Sequence, residues 1–195
     1  MRHESTAFVI AAAFSASVIA WVVLAQRPAD PVTLPATAAQ RNAPVSDPPP
    51  PIDESRVGAL REASERDTGD VASRVALGNV YFDAERFDEA ILWYEQALAL
   101  NPSDVDVSTD LGVSYFYTGQ ADRALHQFDR SLAVEPRHSK TILNIGIVRA
   151  YAKQDLDGAE TAWQQVIEIA PDSPEARAAQ EALEAIRAAH PDRGD

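Results

Sequence analysis

The sequence predicts an all-α chain of helix-turn-helix pairs stacked into a solenoid, and three observations carry that prediction. First, Leu77-Gly78-Asn79-Val80-Tyr81, Leu111-Gly112-Val113-Ser114-Tyr115 and Ile145-Gly146-Ile147 recur so that Gly78, Gly112 and Gly146 stand 34 residues apart. Second, each string is followed by an alanine (Ala90, Ala124, Ala159) and four residues later by an aromatic (Tyr94, Phe128, Trp163). Around these anchors apolar residues fall at helical spacing, as in Ala90, Ile91, Tyr94, Ala97 and Leu98. Third, each copy closes on a proline: Pro102, Pro136 and Pro171. A fixed period of this length is the signature of a repeat array, in which no single unit buries its own apolar face and stability comes from stacking neighbours.

Each anchor has a physical reading. Small residues at the glycine and alanine positions let two helices approach closely where they cross. The aromatics are expected to fill the wider gap to the neighbouring pair. Each proline ends a second helix, because it lacks the N–H of the ladder and disfavours helix in the residue before it. In the third copy Gly146 and Ala159 are 13 residues apart, where Gly78 and Ala90 are 12 apart. The extra residue is expected in the turn around residues 153–157, where it costs little.

Taken in order, residues 1–26 contain an apolar run from 7 to 25 broken only by Ser15 and Ser17, long enough for a transmembrane helix across ~30 Å of hydrocarbon. Two readings compete. A signal peptide would be cleaved after Ala25, but its apolar core would usually span about 7–15 residues behind a stronger basic leader than Arg2 and Glu4 provide. An uncleaved membrane anchor is the favoured reading. Residues 27–52 form a Pro-rich linker holding eight of the thirteen prolines, semi-extended at ~3.1 Å per residue. Residues 53–70 are expected to form an N-terminal capping helix, or degenerate repeat, with Val57, Leu60 and Ala63 on one face. Three repeats follow at 71–104, 105–138 and 139–172. At 173–189 the Ser173-Pro174 start and the stripe Ala176, Ala179, Leu183 and Ile186 predict a C-terminal capping helix.

The formal net charge is −13, and residues 1–52 contribute none of it. An acidic repeat domain repels polyanions, which excludes nucleic acid as a ligand class. The chain has no cysteine, hence no disulfide, thiol nucleophile or thiolate metal site. The four histidines, His3, His126, His138 and His190, are scattered, with no partner at metal-ligand spacing, and His126 and His138 are expected on the exposed surface. Residues 104–110 alternate oxygen-bearing side chains like a calcium loop but lack its glycine and closing glutamate. An acidic helix start is the better reading. No phosphate-cradling loop, nucleophile elbow or acid–base pair is present, so no catalytic, cofactor or metal site is expected and the chain is read as a non-enzyme.

The anchor positions and the 34-residue period resemble the tetratricopeptide repeat family. That resemblance implies a solenoid whose first helices line a concave groove for partner peptides. Counted across from the family pattern, the groove would present Val75, Asn79, Phe82 and Asp83, then Thr109, Val113, Phe116 and Tyr117, then Leu143, Ile147, Ala150 and Tyr151. Members that clamp a terminal carboxylate use asparagines and lysines on these positions. Asn79 fits, but Val113, Leu143 and Ile147 do not, and no basic residue lies inside. The implied partner is a protein presenting a hydrophobic or weakly basic segment, with the chain's own linker or capping helix as the competing occupant.

A shorter stretch, from Ala162-Trp163-Gln164-Gln165 to Pro171-Asp172-Ser173-Pro174-Glu175-Ala176, is similar to the repeat domains of bacterial cytochrome c maturation proteins. Together with arginine outnumbering lysine 15 to 2, these readings give a single-pass protein of the bacterial inner membrane with its repeats in the periplasm. Its expected role is that of an adaptor for protein–protein interactions in the cell envelope, serving assembly or cytochrome c maturation. The alternatives are a self-associating envelope scaffold and a regulatory subunit that tethers a soluble enzyme.

Overall fold

The computed structural model describes residue 49 and residues 51–190. The apolar run at 7–25, and the linker up to residue 48, lie outside the described residues. Among those described, no helix is long and apolar enough to cross a membrane. Eight α-helices and no strand are found in this part: α1 Glu54–Arg66, α2 Val71–Asp83, α3 Phe87–Leu100, α4 Val105–Tyr117, α5 Ala121–Val134, α6 Ser139–Val148, α7 Leu156–Ile169 and α8 Pro174–Ala189.

The helix starts are written in the sequence. Asp53, Asp70, Asp104 and Asp155 each accept a backbone N–H three residues on, from Arg56, Ser73, Val107 and Gly158, and so satisfy an orphan donor at the positive end of the helix. Ser173 does the same for Ala176, with Pro174 in the first turn. Asp104 is therefore a cap, and two of the side chains that follow it are engaged by other helices: Ser108 Oγ accepts from Gln127 Nε2 at 2.7 Å and Asp110 pairs with Lys140.

Helices α2/α3, α4/α5 and α6/α7 form the three pairs, each turning through one residue of positive φ: Glu85 at 56°, Gly119 at 77° and Gln154 at 55°. Counting from the anchor glycine locates the extra residue of the third pair. Gly78 to Glu85 and Gly112 to Gly119 are seven steps, whereas Gly146 to Gln154 is eight. The insertion therefore precedes the turn and is absorbed as a π-helical turn, Arg149–Lys153, at the end of α6. The closing bonds agree. The amides of Arg86 and Gln120 return to the carbonyls of Tyr81 and Tyr115, five residues back, but that of Asp155 returns to Arg149, six back. A widened helical turn keeps backbone donors and acceptors bonded, which is why the extra residue is not found in the loop at 153–157.

The core adds a contact that the sequence reading did not name. Tyr94, Phe128 and Trp163 each lie against the glycine of their own pair, so that a Cβ on Gly78, Gly112 or Gly146 would collide with the Tyr94, Phe128 or Trp163 ring. Glycine and aromatic act as one couple: the bare backbone makes a slot and the ring fills it. Leu77, Ala90, Leu111, Ala124, Ile145 and Ala159 complete the buried layers. Trp163 is 1% exposed, and its Nε1–H donates to Leu143 O at 3.1 Å, so the indole is buried without an orphan donor.

At one end α1 packs on α2 through Val57, while Arg61 Nη2 donates to Tyr81 Oη at 2.7 Å. At the other, α8 covers α7 and α6 with Ala176, Ala179 and Leu183. The N-cap Ser173 stands 35 residues after the N-cap His138, the period plus the inserted residue, so α8 begins where a fourth first helix would.

Candidate functional site

The groove residues named from sequence sit one period apart on α2, α4 and α6, with Ala150 and Tyr151 on the π turn that ends α6. Val75, Phe82, Val113, Phe116, Ile147 and Tyr151 are half-buried, and Asn79, Asp83 and Tyr117 are exposed. Thr109, Leu143 and Ala150 are buried and present nothing to a ligand. Leu143 and Ala150 belong to the packed interior of the third pair. Thr109 is fully buried in a trio of hydroxyls, its Oγ1 lying 3.1 Å from Ser131 Oγ and 2.7 Å from Thr141 Oγ1.

That trio joins the second and third pairs, and it explains where His138 goes. His138 Nδ1 is 2.7 Å from Thr141 Oγ1 and its Nε2 is 3.5 Å from Asp106 Oδ1, leaving the side chain 17% exposed instead of on the open surface. Hydrogen bonding to His138 holds the Asp106 carboxyl below its ordinary range. Acid, imidazole and hydroxyl stand in sequence here, but Thr141 is completely buried and hemmed in by Thr109 and Ser131. No substrate reaches that oxygen, and the arrangement is a structural polar node.

The half-buried positions are tied together by aromatic contacts. Phe82 lies 6.3 Å from Tyr94 and 5.5 Å edge-to-face from Phe87; Phe87 stacks on Tyr117 at 4.5 Å, and Tyr117 meets Phe116 at 5.3 Å. Phe87 opens the second helix of its pair and is absent from the sequence-derived site. Its counterparts, Ala121 and Leu156, are aliphatic, so the period itself carries no signal for it. The result is a continuous aromatic strip from α2 to α4.

Acidic groups border that strip. Tyr94 Oη donates to Asn79 Oδ1 at 2.8 Å, and burial, with Asp110 and Asp83 nearby, pushes the phenol well above its ordinary pKa. Asp110 is 17% exposed; burial raises its pKa while Lys140 Nζ, 2.7 Å away, opposes the rise. Lys140 thus reaches Asp110 across the two first helices, a basic group that the sequence reading did not place there. Asp83 makes no hydrogen bond or ion pair with any described residue. Partial desolvation raises its pKa, with Arg56 only partly offsetting, and it sits at the C-terminal end of α2 where the helix dipole disfavours negative charge.

A TPR repeat model matches residues 78–119, and a tetratricopeptide repeat model matches residues 109–174. No protein of curated function matches the chain in sequence. Among solved structures, MamA aligns with a TM-score of 0.62 at 20% identity, over 71% of this chain and 77% of its own. A tetratricopeptide repeat protein from Parabacteroides merdae gives 0.59 at 20% identity, over 69% of this chain and 53% of its own. The first repeat domain of Spaghetti (RPAP3), bound to the HSP90 peptide SRMEEVD, gives 0.51 at 23% identity, over 70% and 95%. Glycine–aromatic couples at a 34-residue period, paired helices and two repeat-model matches agree: the chain belongs to the tetratricopeptide repeat family.

Proposed function

We propose that this protein-interaction module captures an apolar segment carrying at least one basic residue, laid along the strip formed by Val75, Phe82, Val113, Phe116, Tyr117, Ile147 and Tyr151. One observation carries the reading: an aromatic face left partly open to solvent, with the carboxylate of Asp83, which makes no hydrogen bond or ion pair among the described residues, at its edge. An acidic, carboxylate-terminated peptide suits it poorly. Lys140 is already paired with Asp110, so Asn79, whose Oδ1 accepts from Tyr94, would have to hold a carboxylate by its amide donors without that cation. The apolar run at 7–25 supports a tether that holds the repeats beside a bacterial inner membrane, on the periplasmic side, as an adaptor in envelope assembly or cytochrome c maturation.

The test pairs two amphipathic peptides with the same apolar residues, one with lysines and one with glutamates on the polar face. The lysine peptide is expected to bind the wild type and to lose binding to Phe116→Glu, while circular dichroism shows the same helix content in both proteins. Preference for the glutamate peptide, or equal binding by the variant, overturns the reading. Loss of helix in Phe116→Glu would instead return that residue to the core.

A further inference from the structure

Val113 and Phe116 face one side of α4, and Leu111 and Tyr115 face the other, where a cleft of about 600 Å³ opens between α3, α4 and α5. Leu98, Ala99 and Leu111 give it an apolar floor, and one stripe of α5 supplies Arg123, His126 and Arg130 at its wall. These charges are not equally satisfied. Arg123 Nη2 donates to Glu95 Oε1 at 3.0 Å and to Tyr115 Oη at 2.8 Å, its guanidinium lying 4.0 Å over the Tyr115 ring. The other acid of the cleft, Asp122, is held by Lys153 Nζ at 2.7 Å. Arg130 reaches only Gln127 Oε1, at 3.4 Å, and meets no carboxylate among the described residues. His126 makes no hydrogen bond or ion pair among them.

The fold does not require bases here. One period earlier Arg123, His126 and Arg130 become Glu89, Leu92 and Gln96. In the third pair, shifted by its extra residue, they become Gly158, Thr161 and Gln165. In a chain of net charge −13, Arg130 thus stands without a carboxylate among the described residues, at the wall of a cleft that only the second pair lines with Arg, His and Arg.

We propose that this cleft is a second binding site, on the side of α4 away from the groove, for an acidic side chain carried by a segment of a partner protein. Arg130 offers a planar fork to a carboxylate, His126 lies one turn from it, and the floor receives the aliphatic part of the segment. The local extent of the charge selects this occupant. One unmatched guanidinium with an imidazole beside it suits a single carboxylate, whereas the acidic surface around them repels an extended polyanion such as nucleic acid or an anionic bilayer.

Fluorescence anisotropy of the full chain with fluorescein-labelled tetraglutamate, tetraglutamine as control, tests the site. Tetraglutamate is expected to bind, to weaken with added salt as exposed ion pairs do, and to lose about tenfold in affinity in Arg130→Gln. His126→Gln is expected to weaken binding as well, and Arg130→Lys to restore part of it. Both side chains are exposed, so helix content should not change. Phe116→Glu should bind tetraglutamate like the wild type, which separates failure at this cleft from failure at the groove. Equal binding of tetraglutamine, or unchanged affinity in Arg130→Gln, overturns the proposal. Inorganic phosphate or a short single-stranded DNA that binds more tightly than tetraglutamate, with the same dependence on Arg130, overturns the assignment to a protein carboxylate.

Discussion

Three glycine-to-alanine substitutions are expected to move stability in different directions for reasons visible in their surroundings. Gly58 lies within α1, and a Cβ built there meets nothing within 4 Å. Alanine should therefore stabilise by about 0.5–1 kcal/mol, the helix-propensity difference. Gly119 also has open space around it, but its φ is +77°. There alanine should destabilise by about 1–2 kcal/mol through the backbone alone. At Gly146 a new Cβ lies 2.6 Å from Trp163 Cδ1 and closer still to Nε1, the atom that donates to Leu143 O. The backbone there is helical, so propensity favours alanine by about 1 kcal/mol. Against this stand overpacking of about 1–3 kcal/mol and a strained or lost indole hydrogen bond of about 1 kcal/mol. The net is a loss of about 1–3 kcal/mol. Thermal unfolding followed by circular dichroism should show Gly58→Ala raising Tm by a few degrees, Gly119→Ala lowering it similarly and Gly146→Ala lowering it most, at about 4 °C per kcal/mol. A neutral or stabilising Gly146→Ala would refute the claim that glycine and aromatic are one couple, because no other feature of the site opposes helix propensity.

Three further perturbations follow from the polar groups. Thr141→Val removes the hydroxyl shared by Thr109, Ser131 and His138, and urea unfolding should show a loss of about 1–3 kcal/mol; an unchanged midpoint would mean that the trio does not join the second and third pairs. Asp106, held below its ordinary carboxyl value by His138, stabilises the fold fully above 3.8 and loses that contribution as pH falls through its lowered folded value. Asp106→Asn should accordingly flatten the acid limb of a Tm-versus-pH profile, and a parallel profile would refute the pairing. Asp83 has the opposite sign, since burial raises its pKa: its penalty is present at neutral pH and disappears as pH falls through the raised value. Asp83→Asn should therefore raise Tm at neutral pH while weakening the lysine peptide, and a gain in stability without loss of binding would remove Asp83 from the site.

The parts of the fold legible in the sequence are those the period repeats. Gly78, Gly112 and Gly146 mark the crossings, and the prolines and aspartates mark the helix ends, because each acts within one pair and needs no knowledge of the neighbour. Contacts between pairs were opaque. Thr109 falls at a groove position by counting, yet Ser131 and Thr141 come to it from elsewhere in the chain and enclose it. His138 looked like surface because its partner hydroxyls are three and 29 residues away. The extra residue of the third pair was visible as a count but not as a π turn, since a count does not say which backbone bonds stretch to accommodate it. Phe87 escaped for the complementary reason: it departs from its counterparts, and pattern-matching discards departures.

Those departures are where function is to be sought in a repeat fold. Positions that recur, such as Leu77, Leu111 and Ile145, are fixed by packing and say nothing about a partner. Positions that change between equivalent sites while the backbone stays the same are released from packing. The second pair contains the strongest departures on both sides of α4. Tyr117 stands where the first pair has Asp83, and Arg123 and Arg130 stand where it has Glu89 and Gln96. Tyr117 stacks on Phe87 across the pair boundary, and Arg123 pairs with Glu95 across the same boundary. The junction between the first and second pairs therefore carries both distinctive surfaces, an aromatic one and a cationic one. A partner that engages both must pass around α4 or bring two segments, which predicts that Phe116→Glu and Arg130→Gln weaken a natural partner by more in combination than either does alone.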